Sequence, residues 1–117
     1  MKPEFLERTE AFADRCLAVA EQLLADGRIA RVVEQLAASG CSVGANVAEA
    51  NEAMSVKDFR KCLSIACKEL METRYWLGLF VRRGWVTGAR LEPLLVELEE
   101  IKRVIGSILT RTQPARG

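Results

Sequence analysis

Three carboxylates of this sequence have the chemistry to bind a metal ion. Glu49, Glu69 and Glu72 fall on two segments with helical periodicity, and carboxylates on facing helices hold the metals of di-iron bundles. Those bundles also use Glu-x-x-His motifs, and this sequence contains no histidine. We therefore predict no metal site and no cofactor. The absence of histidine also removes the commonest general base, although it leaves glutamate- or lysine-based chemistry open. Since no catalytic motif is present, we predict no enzymatic activity.

The four cysteines do not form a recognisable site. They are scattered along the chain without a C-x-x-C pair, at Cys16, Cys41, Cys62 and Cys67. Zinc sites and disulfide frameworks use characteristic cysteine spacings that are missing here. We expect each cysteine to be a small buried hydrophobic side chain.

Phosphate binding is the chemistry that a row of cations could support. One helical face of residues 55–83 lies opposite the apolar face and spans about 60° of arc. It carries Lys57, Lys61, Ser64, Lys68, Tyr75 and Arg82. We call the four cations and the tyrosine the basic stripe. Such a row can follow a nucleic-acid backbone while the aromatic ring stacks on a base.

An ordinary solvated helix face is the alternative explanation of the basic stripe. The chain has 17 Lys plus Arg against 16 Asp plus Glu, and its net charge is +1. That balance gives no overall attraction to nucleic acid. A nucleic-acid surface on this protein would have to be local.

Residues 36–48 form a stretch with few large side chains inside a predicted helix. Its Gly40-xxx-Gly44-xxx-Ala48 spacing lets a helix approach a neighbour closely. Each glycine costs about 1 kcal/mol of helix propensity relative to alanine, which packing has to offset.

The face of this helix opposite its apolar side lacks the long charged side chains typical of solvated helices. It carries Arg31, Ala38, Ser42, Ala45 and Glu49. We predict that Ala38, Ser42, Ala45 and Glu49 lie at an oligomer interface. Asn46 lies about 80° from the centre of the apolar face, beside Ser39. We predict that it forms an interhelical hydrogen bond that fixes the register, with a ligand contact as the alternative.

Apolar periodicity places these residues on four helices. Spacings of three and four residues cover 4–25, 29–50, 55–83 and 91–112. Gly27 and Gly84 suit the left-handed position after a helix, and Ser55 and Thr87 are predicted N-caps. Pro93 predicts an irregular or late start of the fourth helix.

Four long amphipathic helices with short connections predict an all-α, antiparallel, up-down-up-down four-helix bundle. We expect one domain over residues 1–113 and a disordered tail over 114–117. No apolar run reaches the roughly 20 residues that span a bilayer. Residues 1–4 do not resemble the start of a signal peptide, so the sequence predicts a cytoplasmic protein that does not enter a membrane.

The segment from Ser42 to Ala50 has the pattern S-x-x-x-N-x-A-E-A and precedes a long helix that contains Asp58-Phe59 and residues 63–77. This combination resembles a four-helix bundle family. The family includes proteins encoded in intervening sequences of 23S rRNA genes and the accessory variability determinant of diversity-generating retroelements. The likeness covers residues 5–112.

The resemblance implies a homopentamer of four-helix bundles arranged as a barrel. In the retroelement members it implies binding to a reverse transcriptase and to nucleic acid, although this chain is nearly neutral where those members are strongly basic. The positions that match the family are Ser42, Asn46, Glu49, Glu69, Glu72 and Arg74. Arg74 is, by its family position, the expected partner of Glu49.

Two functions follow from these observations. The first is a homo-oligomeric accessory scaffold, pentameric by resemblance, that binds RNA or DNA or a nucleoprotein enzyme such as a reverse transcriptase. The second is a structural protein–protein assembly without nucleic-acid binding. Neither function uses a membrane or a small-molecule substrate.

Overall fold

The computed structural model describes residues 1–114 and contains four α-helices in this part of the chain. They are α1 (Pro3–Ala25), α2 (Ala30–Asn51), α3 (Val56–Arg82) and α4 (Gly88–Arg111). Each helix packs on its neighbours in sequence, and α1 also packs on α4. The all-α up-down-up-down four-helix bundle predicted from the sequence is therefore confirmed. Of the predicted tail, residues 115–117 lie outside the described residues.

The turns form where local sequence signals predict them. Gly27 and Gly84 have φ angles of 79° and 74° and lie in the turns that follow α1 and α3. The Ser55 hydroxyl accepts a hydrogen bond from the N–H of Asp58 at 3.1 Å, which caps α3. Thr87 caps α4 in the same way, through the N–H of Arg90 at 3.2 Å.

The late start predicted for α4 does not occur. The helix begins at Gly88 and continues through Pro93. A proline in the second turn removes only the hydrogen bond to the carbonyl four residues earlier, which is that of Ala89. The Thr87 cap compensates by starting the helix ahead of the proline.

The core runs along the axis of a bundle that is 53 Å long. Apolar side chains from all four helices meet there, and Phe12, Val43, Leu70 and Leu98 are fully buried. Two leucines of α1 are not covered to the same degree. Leu17 and Leu24 remain 37% and 43% exposed. Within residues 1–114, none of the helices has the length and apolarity needed to cross a membrane.

Candidate nucleic-acid and subunit interfaces

The basic stripe lies on the outer side of α3. All five of its residues are exposed, and the Tyr75 side chain is 61% exposed. The ion pairs among the described residues join Arg8 to Glu97 and Glu100, and Arg74 to Glu99. No cation of the basic stripe is therefore in an ion pair within that part of the chain. Their charges are directed to solvent or to a partner.

The second half of the basic stripe borders a shallow groove of about 400 Å³. It is lined by Met71, Arg74, Tyr75, Gly78, Leu79 and Arg82. The Tyr75 ring meets the Trp76 ring edge-on, with centroids 5.1 Å apart, and Trp76 stacks on the buried Phe80 at 6.3 Å. Tyr75 is thus an exposed aromatic ring supported by an aromatic cluster.

The aromatic cluster continues to the end of the bundle. Phe80 stacks on Trp85 with centroids 5.2 Å apart, and the Arg28 guanidinium lies 5.6 Å from the Trp85 ring. This cation–π contact joins the α1–α2 turn to the α3–α4 turn. The two tryptophans are partly buried and pack within the bundle.

The predicted interface residues of α2 lie on its outer side. Ala38, Ala45 and Glu49 are exposed, and Ser42 is partly buried. Beside them, α1 and α2 enclose a groove of about 470 Å³. Its apolar lining consists of Leu6, Ala13, Cys41, Gly44, Ala45 and Ala48. The outer surface of α2 therefore consists mainly of small side chains in this region, with Glu49 and Glu52 as its charged residues.

Asn46 does not make the interhelical hydrogen bond expected of it. Its amide donates to the carbonyl of Ser42 at 2.9 Å and to the Ser42 hydroxyl at 3.0 Å, both on α2 itself. The bond between helices is made instead by Ser39, whose Oγ lies 2.8 Å from Oγ1 of Thr73 on α3. Both hydroxyls are almost fully buried. Asn46 lies on nearly the same side of α2 as Ser39 but seven residues later, about 10 Å further along the helix axis, so it does not reach Thr73.

The expected pairing of Glu49 with Arg74 is wrong within the chain. Arg74 donates to a carboxylate oxygen of Glu99 on α4 at 2.8 Å. It lies on the side of α3 that faces α4, whereas Glu49 is on α2, which packs on the other side. Glu49 has no ion-pair partner among the described residues.

The three carboxylates considered for metal binding, Glu49, Glu69 and Glu72, do not come together as one group among the described residues. Within residues 1–114, no group of three His, Cys, Asp or Glu side chains is placed to hold a metal ion. Burial raises the pKa of the Glu69 carboxyl, and the nearby Glu72 raises it further. Glu72 accepts a hydrogen bond from the indole N–H of Trp76 at 3.2 Å. These two glutamates therefore lie beside the aromatic cluster of α3.

A charged contact between α1 and α4 could not be predicted from the sequence. Arg8 donates two hydrogen bonds to Glu97, at 2.8 and 2.7 Å, and also pairs with Glu100. The hydrogen bond from Arg8 holds the pKa of Glu97 below its ordinary value. Arg8 and Glu97 are 89 residues apart in the chain, so no local sequence pattern indicates that they meet.

Comparison with known proteins adds a family and a fold. The profile of a family described as 23S rRNA-intervening sequence protein matches residues 2–107. The chain is also similar to a crystal structure of a protein with unknown function from the S23 ribosomal protein family, from Bacteroides thetaiotaomicron VPI-5482. The TM-score is 0.86 and the sequence identity is 33%, covering 90% of this chain and 97% of that one. Among curated proteins there is no significant match.

Proposed function

The chain belongs to the 23S rRNA-intervening sequence protein family, and we propose that it is a non-enzymatic, homo-oligomeric scaffold. The scaffold binds nucleic acid, or a nucleoprotein enzyme such as a reverse transcriptase, in the cytoplasm. The proposed oligomer is a pentamer, on the family resemblance. The outer face of α2, with Ala38, Ser42 and Ala45, is its proposed subunit interface.

The basic stripe is the observation that supports nucleic-acid binding. Its first and last cations, Lys57 and Arg82, are 25 residues apart on one helix, which is about 38 Å at 1.5 Å per residue. Phosphate contacts release condensed counterions, so a row of cations without internal partners is suited to bind a nucleic-acid backbone. The exposed ring of Tyr75 lies in the same row and could stack on an unpaired base.

Binding of labelled RNA and DNA at increasing salt tests this function. The wild type is expected to bind with an affinity that falls steeply as salt rises. Lys61→Glu with Lys68→Glu is expected either to abolish binding or to reduce the slope of log affinity against log salt by the equivalent of about two phosphate contacts. Arg103→Glu with Arg111→Glu on α4 is the matched control, because it changes the net charge equally outside the basic stripe. An absence of binding at low salt would refute nucleic-acid binding.

A structural assembly without nucleic acid is the second candidate. The net charge of +1 and the open apolar groove between α1 and α2 favour it. This candidate predicts assembly with a polypeptide and no salt-dependent retention of RNA or DNA. The same binding series therefore separates the two functions.

A further inference from the structure

Charge is divided between two helices that lie diagonally across the bundle. Within the described residues, α1 and α3 are not in contact. Helix α1 carries five carboxylates and two arginines, whereas α3 carries six cations and three carboxylates. The nearly neutral chain thus has one acidic side and one basic side.

The acidic side is built from Glu7, Glu10 and Asp14, which are all exposed. They border a shallow depression that also includes Leu17. Leu24 lies seven residues, about two helical turns, after Leu17 and is exposed as well. We call these five residues the acidic face. None of its three carboxylates is in an ion pair among the described residues.

The acidic face adjoins the groove between α1 and α2. That groove contributes small side chains, among them Ala13, Cys41 and Ala45. A neighbouring helix could approach the small side chains closely, because the longer side chains of the groove, such as Glu10 and Glu52, are charged or lie at its ends. The combined surface is therefore apolar at its centre and acidic along its outer edge.

The charged residues of the basic stripe lie at the same height along α3 as those of the acidic face along α1. In an up-down-up-down bundle α1 and α3 run in the same direction, so their first turns lie at the same end. Glu7 to Asp14 lie about 6 to 17 Å from the start of α1, and Lys57 to Lys68 lie about 2 to 18 Å from the start of α3. The charged segments of the two helices are thus at the same height.

The apolar segments also correspond. Leu17 to Leu24 lie about 21 to 32 Å from the start of α1. Tyr75 and Leu79 border the groove on α3, at about 29 to 35 Å from its start. Over their first turns the two surfaces carry charges of opposite sign. Further along, both present apolar side chains together with charges that are again opposite in sign, Glu21 on α1 and Arg74 and Arg82 on α3.

We propose that the acidic face of one copy docks on the basic stripe of a second copy, with the two bundles side by side and parallel. This inference rests on the oligomeric part of the proposed function and extends the α2 interface proposed there, through Ala45 in the adjoining groove, to the acidic face on one side. The contact is heterologous, so each copy uses one surface for each neighbour, and repetition closes a ring if the rotation permits it. A two-fold contact through the acidic face would instead bring carboxylates together, which is unfavourable.

Self-docking and nucleic-acid binding then compete for Lys61 and Lys68. In a closed ring these lysines face the carboxylates of the neighbour in every copy, so phosphate reaches them only in unassembled chains or open assemblies. Higher salt weakens both contacts. The two roles can be separated only by variants that change one surface at a time.

A charge-exchange experiment tests the docking. The first variant is Glu10→Lys with Asp14→Lys, the second is Lys61→Glu with Lys68→Glu, and the third combines all four substitutions. The mass of each protein is measured by light scattering over a dilution series, with helicity measured by circular dichroism. Glu92→Lys, an exposed charge reversal on α4, is the control.

We expect the first and second variants to be folded but to assemble at least 10-fold more weakly than the wild type. The combined variant is expected to recover assembly to within about threefold, because the reversed charges again match. Assembly of both double variants at wild-type strength would overturn the proposal, as would failure of the combined variant to recover. A wild type that stays monomeric at tens of micromolar would overturn it as well.

The same proteins distinguish failure of the docking from failure of nucleic-acid binding. A combined variant that assembles but no longer retains RNA supports both roles of the lysines. Retention of RNA by the second variant, which gains no new lysine, would remove the basic stripe from nucleic-acid binding. If only the second variant loses RNA and neither double variant changes mass, the docking is overturned and the nucleic-acid function stands.

Discussion

Gly40 of α2 lies directly against Cys16 of α1. A Cβ atom added at Gly40 would stand 2.6 Å from the Cβ of Cys16 and 2.8 Å from its Sγ, which is far inside van der Waals contact. The Cys16 side chain is fully buried, and this burial raises the pKa of its thiol to about 12. The close crossing of α1 and α2 therefore requires a glycine at this position.

Gly40→Ala is expected to destabilise the protein despite the better helix propensity of alanine. The propensity gain is about 1 kcal/mol, and overpacking a filled contact costs about 1–3 kcal/mol. Chemical denaturation measures the net effect. Gly106→Ala is the control, because no atom lies within 4 Å of the Cβ it adds; it is expected to stabilise by up to about 1 kcal/mol. A Gly40→Ala protein that is as stable as Gly106→Ala would show that the crossing adjusts freely.

Thr73→Val is expected to lower the free energy of unfolding by about 0.5–1.5 kcal/mol, the usual contribution of one hydrogen bond. It removes the only hydroxyl of α3 that reaches Ser39 among the described residues. In a double-mutant cycle with Ser39→Ala, the two effects should not add, because each change breaks the same bond. Additive effects would mean that the two hydroxyls do not interact.

Protonation of Glu97 is expected to contribute to acid unfolding. The Arg8 hydrogen bond lowers the pKa of Glu97 in the folded state, so its stabilising effect is present above the unfolded-state pKa and is lost as the pH falls through the folded-state pKa. Glu97→Gln should cost about 0.5–1 kcal/mol at pH 7, since the pair is only partly buried. The difference from the wild type should shrink towards pH 3 in denaturation measured across pH. Glu99→Gln, which affects the more exposed pair with Arg74, should have a smaller effect; a pH-independent difference for Glu97→Gln would contradict the role of its charge.

Ala45→Glu and Ala38→Glu are expected to leave a helical chain but to weaken its assembly. Both residues are exposed on the outer side of α2, and a carboxylate buried there without a partner would be costly. Light scattering measures the mass, and circular dichroism measures the helicity. Ala89→Glu, at an exposed position in the first turn of α4, serves as the control. An unchanged mass for Ala45→Glu would exclude this part of α2 from the subunit interface.

Local features of the sequence were sufficient to predict the helices and much of the surface. The caps at Ser55 and Thr87 and the left-handed glycines depend on atoms a few residues apart, so the sequence records them directly. The exposure of Lys61 and Lys68 follows from helical periodicity alone. Pro93 was misjudged because its effect depends on where the Thr87 cap starts the helix.

The partners of individual side chains could not be predicted in the same way. Periodicity gives the face of a helix on which Arg74 or Asn46 lies, but not the rotation and height of the helix opposite. The sequence therefore predicts Glu49 as the partner of Arg74, whereas within the chain Arg74 pairs with Glu99 on α4. It likewise predicts Asn46 for the hydrogen bond between α2 and α3 that Ser39 makes with Thr73.

Hydrogen bonds and side-chain periodicity within a helix act over three or four residues, so the four amphipathic helices, their ends and the cations exposed on the third could be predicted from local sequence. The antiparallel bundle that short connections favour also places α1 and α3 diagonally. Packing of the whole core, by contrast, sets the rotation and height of each helix, and no local interaction encodes them. The pairs Arg74–Glu99 and Ser39–Thr73 are therefore known from the tertiary structure alone.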